Sequence, residues 1–341
     1  MTVTQHPSDG KTAPVRSVMV TGAAGYIGSV VVRKFLDAGL RVIGVDSLEF
    51  GTHGVDELVK HENFQLINAD IRAPEHWLAA VNASDAILHL AAVVGDHACA
   101  AQPDLATSIN VDASSRLLEA AISSPRTQRF IFASTCSNYG QHRGSAYCDE
   151  NSELRPVSHY ARTKVTMERR VLEVATASGF SASCLRFATA FGLSPRMRFD
   201  LTVNDFTREL AEGRHLEIFG SQFWRPYCHT QDIARACLAH LKAAPHLSAN
   251  KAFNVGATKN NFTKGQLARI LRSYIPAASI DFIEKGKDLR SYKVNCDLFA
   301  ETFDYQTKYT INDGIVEVIE ALEAASFSGI PESLLNNSMA S

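Results

Sequence analysis

The sequence predicts an α/β protein, a doubly wound parallel sheet with a smaller mixed α/β lobe toward the C-terminus. Three observations carry that prediction. Short runs that are apolar throughout alternate with stretches of helical spacing, the pattern of strands buried on both faces. A glycine-rich turn separates the first such run from the first helix. The 341 residues suffice for about two domains at roughly 150 residues each.

Ser17–Thr21 is a compact apolar run and reads as the first strand. Tyr26–Ala38 places Ile27, Val30, Val31, Phe35 and Leu36 at helical spacing, and Gly39 follows as a stop. Arg41–Asp46, Phe64–Asp70, Ala86–Leu90 and Arg129–Ser134 read as the next four strands, with a long helix over Pro103–Ser123. A further helix is expected over Val157–Ala177 and a strand over Ala182–Phe187. Beyond Arg186 the alternation weakens. Val203–Glu212 and Thr263–Ser273 read as helices and Leu216–Phe219 as a short strand, while Gln231–Leu241 and Lys251–Val255 read as returning to the sheet. The expected division is a sheet domain over 15–185 with 231–256 returning to it, and a lobe over 186–230 and 257–325. Flexible tails are expected at 1–14 and at 326–341, the latter rich in Ser and Asn.

Composition removes several function classes. With 34 basic against 36 acidic residues the net charge is −2, and no basic block occurs. A protein that neutralises nucleic-acid phosphates or an anionic membrane is usually far more basic. The 7 cysteines are scattered without a Cys-x-x-Cys, and the 12 histidines show no ligand spacing, so neither a disulfide framework nor a metal site is expected. The N-terminus lacks an apolar signal core, and no apolar run reaches the roughly 20 residues that span a bilayer. A soluble, cytoplasmic protein with reduced thiols is expected.

The glycine turn, Gly22-Ala-Ala-Gly25-Tyr-Ile-Gly28, carries the first chemistry. Gly22 allows a tight turn, Gly25 lets the backbone approach a pyrophosphate, and Gly28 lets helix and sheet pack closely. Tyr26 and Ile27 open the helix, whose unbonded N–H groups and positive dipole end face an anion. Asp46 ends the second strand, where a carboxylate accepts hydrogen bonds from ribose hydroxyls and repels a 2′-phosphate. NAD is therefore expected over NADP. Asp70 and Ile71, after the third strand, are candidates for the adenine.

Tyr160 and Lys164 lie one helical turn apart on one face. Ser134-Thr135-Cys136-Ser137-Asn138-Tyr139-Gly140 follows the fifth strand, at the carboxyl edge where ligands of such sheets bind. With these residues the chain resembles the extended short-chain dehydrogenase/reductases, a Rossmann-like family, and within them the NAD-dependent nucleotide-sugar epimerases and dehydratases. The resemblance runs from about Ser17 to about Leu322. It includes His89-Leu90-Ala91-Ala92, Asn110-Val111, Leu185-Arg186-Phe187-Ala188-Thr189-Ala190-Phe191-Gly192 and Trp224-Arg225-Pro226-Tyr227-Cys228-His229.

The resemblance implies that Leu90, Ala91, Ala92, Asn110, Tyr160 and Lys164 hold the cofactor. It implies that Tyr160 takes the proton from a sugar hydroxyl, most naturally at C4, while Thr135 bonds the same oxygen. The Lys164 ammonium and the positive nicotinamide favour phenolate, so Tyr160 is expected to be more acidic than a free tyrosine. Thr135, Ser137, Thr189, Asn204, Arg225 and Arg290 are the expected substrate contacts, the arginines clamping a nucleotide diphosphate. A homodimer through a four-helix interface of Pro103–Ser123 and Val157–Ala177 is also implied.

Where the family's 4,6-dehydratases carry Asp-Glu after the active-site Thr, this chain has Cys136 and Ser137; related uronic-acid decarboxylases carry Glu where Ser137 stands. Dehydration and decarboxylation lose their expected acid/base, and reversible oxidation at C4 remains. The expectation is a 4-epimerase working through a transient 4-keto sugar. Alternatives are a 4-dehydrogenase or ketoreductase, and a C3/C5 epimerase using the Cys136 thiol. His97 and Cys99 face the same choice between catalysis and packing. A non-catalytic NAD-sensing protein would not need the Tyr160, Lys164 and Thr135 set.

Overall fold

In the computed structural model, residues 14–142, 146–174, 180–284 and 290–337 are described. Seven strands, β1 (Ser17–Thr21), β2 (Arg41–Asp46), β3 (Phe64–Asn68), β4 (Ala86–His89), β5 (Arg129–Thr135), β6 (Ser181–Phe187) and β7 (Lys251–Val255), form one sheet. Its order is β3-β2-β1-β4-β5-β6-β7, and every pairing is parallel. Alternate residues serve opposite faces, as the two-residue period of a strand requires. Along β1, Val18 and Val20 pack toward α1 (Tyr26–Asp37) and the returning helix Thr230–Lys242, while Met19 joins Trp77, Leu117 and Met167 on the other face. Both faces are dry, so polar alternation in these strands would have been destabilising.

The strand order reverses beside β1, where chain leaves toward β2 on one side and β4 on the other. A crevice at such a switch point is where open α/β sheets bind ligands. The second lobe caps this edge. Its core gathers Phe191, Val203, Phe206, Leu210, Leu267, Leu271 and Ile315 around the helices Thr202–Ala211, Lys264–Tyr274 and Ile311–Glu323. Strand Thr189–Phe191 runs parallel to Trp224–His229, which pairs antiparallel with Asn261–Thr263.

Several expectations need correction. The helix expected over Pro103–Ser123 is interrupted by a π-type turn at Ser108–Ala113, between Pro103–Thr107 and Ser114–Ser123. Such turns insert one extra residue and often sit at functional sites; here the turn carries Asn110. The helix expected over Val157–Ala177 spans His159–Leu172, started by the Ser158 hydroxyl accepting the Ala161 N–H at 3.2 Å. Ala177 lies outside the described residues, as do residues 1–13.

The expected flexible tail is the largest revision. Residues 326–337 pack onto the second lobe, while 338–341 lie outside the described residues. Phe327 meets Phe199 edge-on at 5.2 Å, and Leu335 is buried beside Met197 and Val318. The Phe199 N–H donates to the Leu335 carbonyl at 2.8 Å, and Glu332 pairs with Arg208 at 2.7 Å. Average composition hid three apolar anchors, Phe327, Ile330 and Leu335, among the polar residues. Leu335→Ala is expected to cost about 2 kcal/mol, toward the low end for a buried leucine, as a lower urea midpoint; an unchanged midpoint would show that the segment adds nothing to stability.

Candidate active site

A cleft of about 1300 Å³ follows the carboxyl edge of the sheet and is closed from above by the second lobe. Its cofactor half is built on the turn after β1. Gly22 takes φ +71°, and a Cβ there would lie 2.9 Å from the Ala91 backbone nitrogen. A Cβ on Gly28 would lie 1.9 Å from the Gly22 carbonyl oxygen, so only glycine lets α1 start this close to the turn. The first N–H groups of α1 have no intrahelical partner, and its cap, Gly25, brings no side chain to cover them. A cradle of this form fits a dinucleotide's pyrophosphate.

Asp46 lines the cleft beside this turn, its two carboxylate oxygens accepting the Ala24 and Leu48 N–H groups, both at 2.9 Å. Burial pushes its pKa up, while those two bonds and the nearby Arg196 act in the opposite sense. Asp70 and Ile71 also line the cleft; Asp70 is paired with Arg72 at 2.5 Å, which holds its pKa down. Ile27, Leu90, Ala91 and Ala92 form the wall between them and the reacting end. Tyr26 lines the cleft, but its hydroxyl serves the fold, donating to the Gly192 carbonyl at 2.7 Å.

Asn110 does not line the cleft, and the direct cofactor contact expected of it is corrected. Its side chain accepts the Val93 N–H at 2.8 Å and donates to the Val93 carbonyl at 2.9 Å and to Thr163 at 3.2 Å. It therefore positions the loop whose residues touch the ligand space. A second tether is buried beneath: His89 Nδ1 meets the Thr21 hydroxyl at 2.6 Å and Nε2 meets Ser114 at 2.8 Å. Burial pulls the His89 pKa down to about 3, so the ring is a neutral strut.

Tyr160, Lys164 and Thr135 all line the same cleft. The Lys164 ammonium donates to the Ala133 carbonyl at 2.9 Å and lies 5.9 Å from the Tyr160 ring centroid. Burial pulls its pKa down to about 8. Thr135 accepts the Ser137 N–H at 3.1 Å, leaving its own hydrogen to donate, and it acts to lower the pKa of the Tyr160 phenol. Burial pushes the Tyr160 phenol above its ordinary value, Cys99 adds to that, and Arg198 and Thr135 offset only part, so the chain's own groups do not by themselves supply the expected acidity.

Beneath this trio, Glu168 and Arg186 form a buried ion pair at 2.6 Å. Glu168 also accepts the Ser134 hydroxyl at 2.6 Å and the Asn138 amide at 3.3 Å, while Arg186 donates to Tyr139 at 2.9 Å. Glu168 lies one turn beyond Lys164, and Ser134 precedes Thr135. The network therefore sets helix His159–Leu172 against β5 and β6. Cys136 is part of this packing rather than of the cleft, which corrects its catalytic assignment. Its thiol donates to the Arg186 carbonyl at 3.2 Å, lies outside the cleft lining, and is held well above its ordinary pKa by burial.

At the far end, Ser137, Thr189, Arg225 and Arg290 line the cleft. Arg225 donates to the Trp224 carbonyl at 2.8 Å and to the Arg290 carbonyl, and Arg290 pairs with Asp96. Asp288 and Leu289, quoted with Arg290 in its motif, lie outside the described residues. Asn204 is fully buried outside the lining and is corrected as a substrate contact. It donates to the Tyr26 hydroxyl at 2.9 Å and to the Arg198 carbonyl at 3.0 Å, and accepts the Gly192 N–H at 2.9 Å. His97 stands exposed on the rim, while Cys99 is buried and donates to the Val93 carbonyl at 3.3 Å.

Sequence reasoning missed Phe50, Arg196, Arg198, Asp200 and Asn337, all of which line the cleft. The alternating charges of Arg196-Met-Arg198-Phe-Asp200 were the available signal. Nothing in the order of residues pointed to Asn337.

The NAD dependent epimerase/dehydratase family matches residues 18–256. Among curated proteins, one named an uncharacterized UDP-glucose epimerase, YtcB from Bacillus subtilis, is 31% identical over 258 residues, covering 71% of this chain and 77% of its own. A UDP-glucuronate 4-epimerase of Thermodesulfobacterium geofontis is 29% identical over 312 residues, covering 88% of this chain and 94% of its own. The crystal structure of a UDP-glucose 4-epimerase from Thermotoga maritima, solved with UDP-glucose, superposes with a TM-score of 0.80 at 25% identity, covering 91% and 99% of the two chains. This chain belongs to the NAD-dependent epimerase/dehydratase family and is an enzyme that works with NAD.

Proposed function

We propose that the protein is a nucleotide-sugar 4-epimerase. The observation that carries this reading is the joint placement of Tyr160, Thr135 and Lys164 in one cleft with the dinucleotide cradle, with no carboxylate at positions 136 and 137. The curated relatives named as UDP-sugar 4-epimerases support it.

The chain's own residues divide the work as follows. The Tyr160 phenolate accepts the proton of the C4 hydroxyl. The Thr135 hydroxyl, which lines the same cleft and has its hydrogen left to donate, bonds the same sugar oxygen and fixes its position. Lys164 supplies the positive charge that favours phenolate, and its two remaining hydrogens are free to bond a ribose. When bound, NAD supplies the hydride acceptor and gives the hydride back, so no net oxidation accumulates. Arg225 and Arg290 face a diphosphate at the other end, where a guanidinium makes paired bonds to phosphate oxygens. Epimerisation requires the keto sugar to turn over while its diphosphate stays clamped, and this is what distinguishes it from simple reduction. The exposed sides of Ser114–Ser123 and His159–Leu172 are the proposed homodimer surface, which light scattering tests directly.

Tyr160→Phe is expected to lower kcat by at least about 100-fold, the scale of a lost general base, with NAD still bound by calorimetry. Near-normal turnover in that variant would remove the mechanism. In the wild type, catalytic NAD should support many turnovers without accumulating NADH absorbance; one equivalent of NADH per product would mark a dehydrogenase instead. Cys136→Ala should keep kcat within about threefold, since the group buried there meets no substrate; a loss like that of Tyr160→Phe would return the thiol to the chemistry.

Activity should rise with pH as the phenol ionises and fall above a pH of about 8, where Lys164 loses its proton. Lys164→Arg cannot lose its charge, so whatever activity that variant retains should persist beyond that limb. A pH profile with the same alkaline fall in both proteins would assign the limb to another group.

A further inference from the structure

Arg196 has a place in the structure that neither the sugar chemistry nor the core explains. Its side chain is 1% exposed, yet it forms part of the cleft wall beside Asp46 and the Gly22–Gly25 turn. Its Cβ lies 3.0 Å from the position of a Cβ added to Gly54, which itself packs on the Ala24 carbonyl. The guanidinium stacks on the Phe50 ring at 4.2 Å and donates a single hydrogen bond, to the Asn336 carbonyl at 3.1 Å. Its Nε is buried without a partner.

Among the described residues no carboxylate pairs with it: Asp200 is taken by Arg198 at 2.5 Å, and Asp46 is held by two backbone N–H groups. Burial and the neighbouring Arg198 pull its pKa down to about 10, so it remains charged at neutral pH. A buried cation without a counter-charge is strongly unfavourable. Two further polar atoms are unpartnered in this quarter of the molecule, His53 Nε2 and Asn337 Oδ1, and Asn337 lines the cleft. Arg196 lowers the His53 pKa, which places the two close together.

We propose that Arg196, held in place by the C-terminal residues 335–337, is the counter-cation for the diphosphate of the bound dinucleotide. The Gly22–Gly25 turn offers that diphosphate N–H groups but no full positive charge, and Arg196 supplies one from the wall behind it. A charge embedded in a low-dielectric wall acts on an anion in the cleft without protruding into it. The packed C-terminal segment thereby becomes part of the cofactor site. Its Asn336 carbonyl orients the guanidinium, and Leu335 anchors the carbonyl.

The inference rests on the NAD assignment alone and stands or falls separately from the sugar chemistry. Calorimetry with adenosine, ADP, NAD and UDP on the cofactor-stripped full chain tests it. Arg196→Met should bind ADP and NAD about tenfold more weakly, and adenosine and UDP unchanged within about twofold. Its cofactor-free thermal midpoint should match or exceed the wild type, because a buried unpaired charge has been removed. Arg196→Gln keeps a donor for the Asn336 carbonyl without the charge, and should show the same ADP-selective loss if the methionine variant is unstable. Equal losses for adenosine and ADP, a loss confined to UDP, or unchanged ADP affinity would each overturn the proposal.

Discussion

The buried pair between Glu168 and Arg186 is the contact on which the reacting geometry depends. Tyr160 and Lys164 sit on one helix, Thr135 on a strand end, and nothing local forces the two to meet. Glu168 projects one turn beyond Lys164 and accepts bonds from Ser134 and Asn138 as well as from Arg186 on β6. A helix displaced by one turn would leave a carboxylate and a guanidinium buried and unmatched. Breaking such a pair costs about 3–5 kcal/mol, so sliding is strongly disfavoured. An apolar replacement would pack as tightly and would permit other registers. The network extends further, since Arg186 continues through Tyr139 to Asn254.

The same logic separates the two kinds of buried charge in this molecule. Glu168 and Arg186 neutralise one another within the chain and define a shape. Among the described residues no carboxylate pairs with Lys164 or Arg196, and both line the cleft. The ammonium settles on a backbone carbonyl and the guanidinium on another, each a dipole rather than a counter-charge. For Arg196 the proposed counter-charge is the dinucleotide's diphosphate, which would couple cofactor binding to the relief of that buried charge, whereas Lys164 keeps its backbone carbonyl.

Legibility in the sequence followed the physics of each signal. The sheet strands were readable because burial on both faces leaves them apolar throughout, and their observed limits agree with the expected ones to within a residue or two. The glycine turn was readable because its chemistry is local, three glycines and a helix start within a few residues. Asn110 and Asn204 were misassigned for one shared reason: polarity in a sequence marks a side chain that needs partners without saying whether those partners are ligand or backbone. Both found backbone. Cys136 was misassigned because β5 ends at Thr135: Thr135 lines the cleft, while Cys136, first in the helical turn that follows, packs its thiol on the Arg186 carbonyl. The C-terminal segment was illegible because its anchors, Phe327, Ile330 and Leu335, have no period, and their cluster includes Met197 and Phe199, more than a hundred positions away.

A phenol that burial keeps protonated is a poor base by itself, and this explains the layout of charge around Tyr160. Among the chain's own groups Arg198 and the Thr135 hydroxyl lower its pKa most; the Lys164 ammonium is turned to a carbonyl and lies 5.9 Å from the ring centroid. Without cofactor these do not outweigh desolvation. Bound NAD would supply a positive nicotinamide ring, whose charge would lower the phenol's pKa in a low-dielectric space where Coulomb interactions are strong. In the proposed mechanism the base would therefore form only in the loaded enzyme, because the burial that holds the Tyr160 phenol neutral is not offset by the chain's own groups.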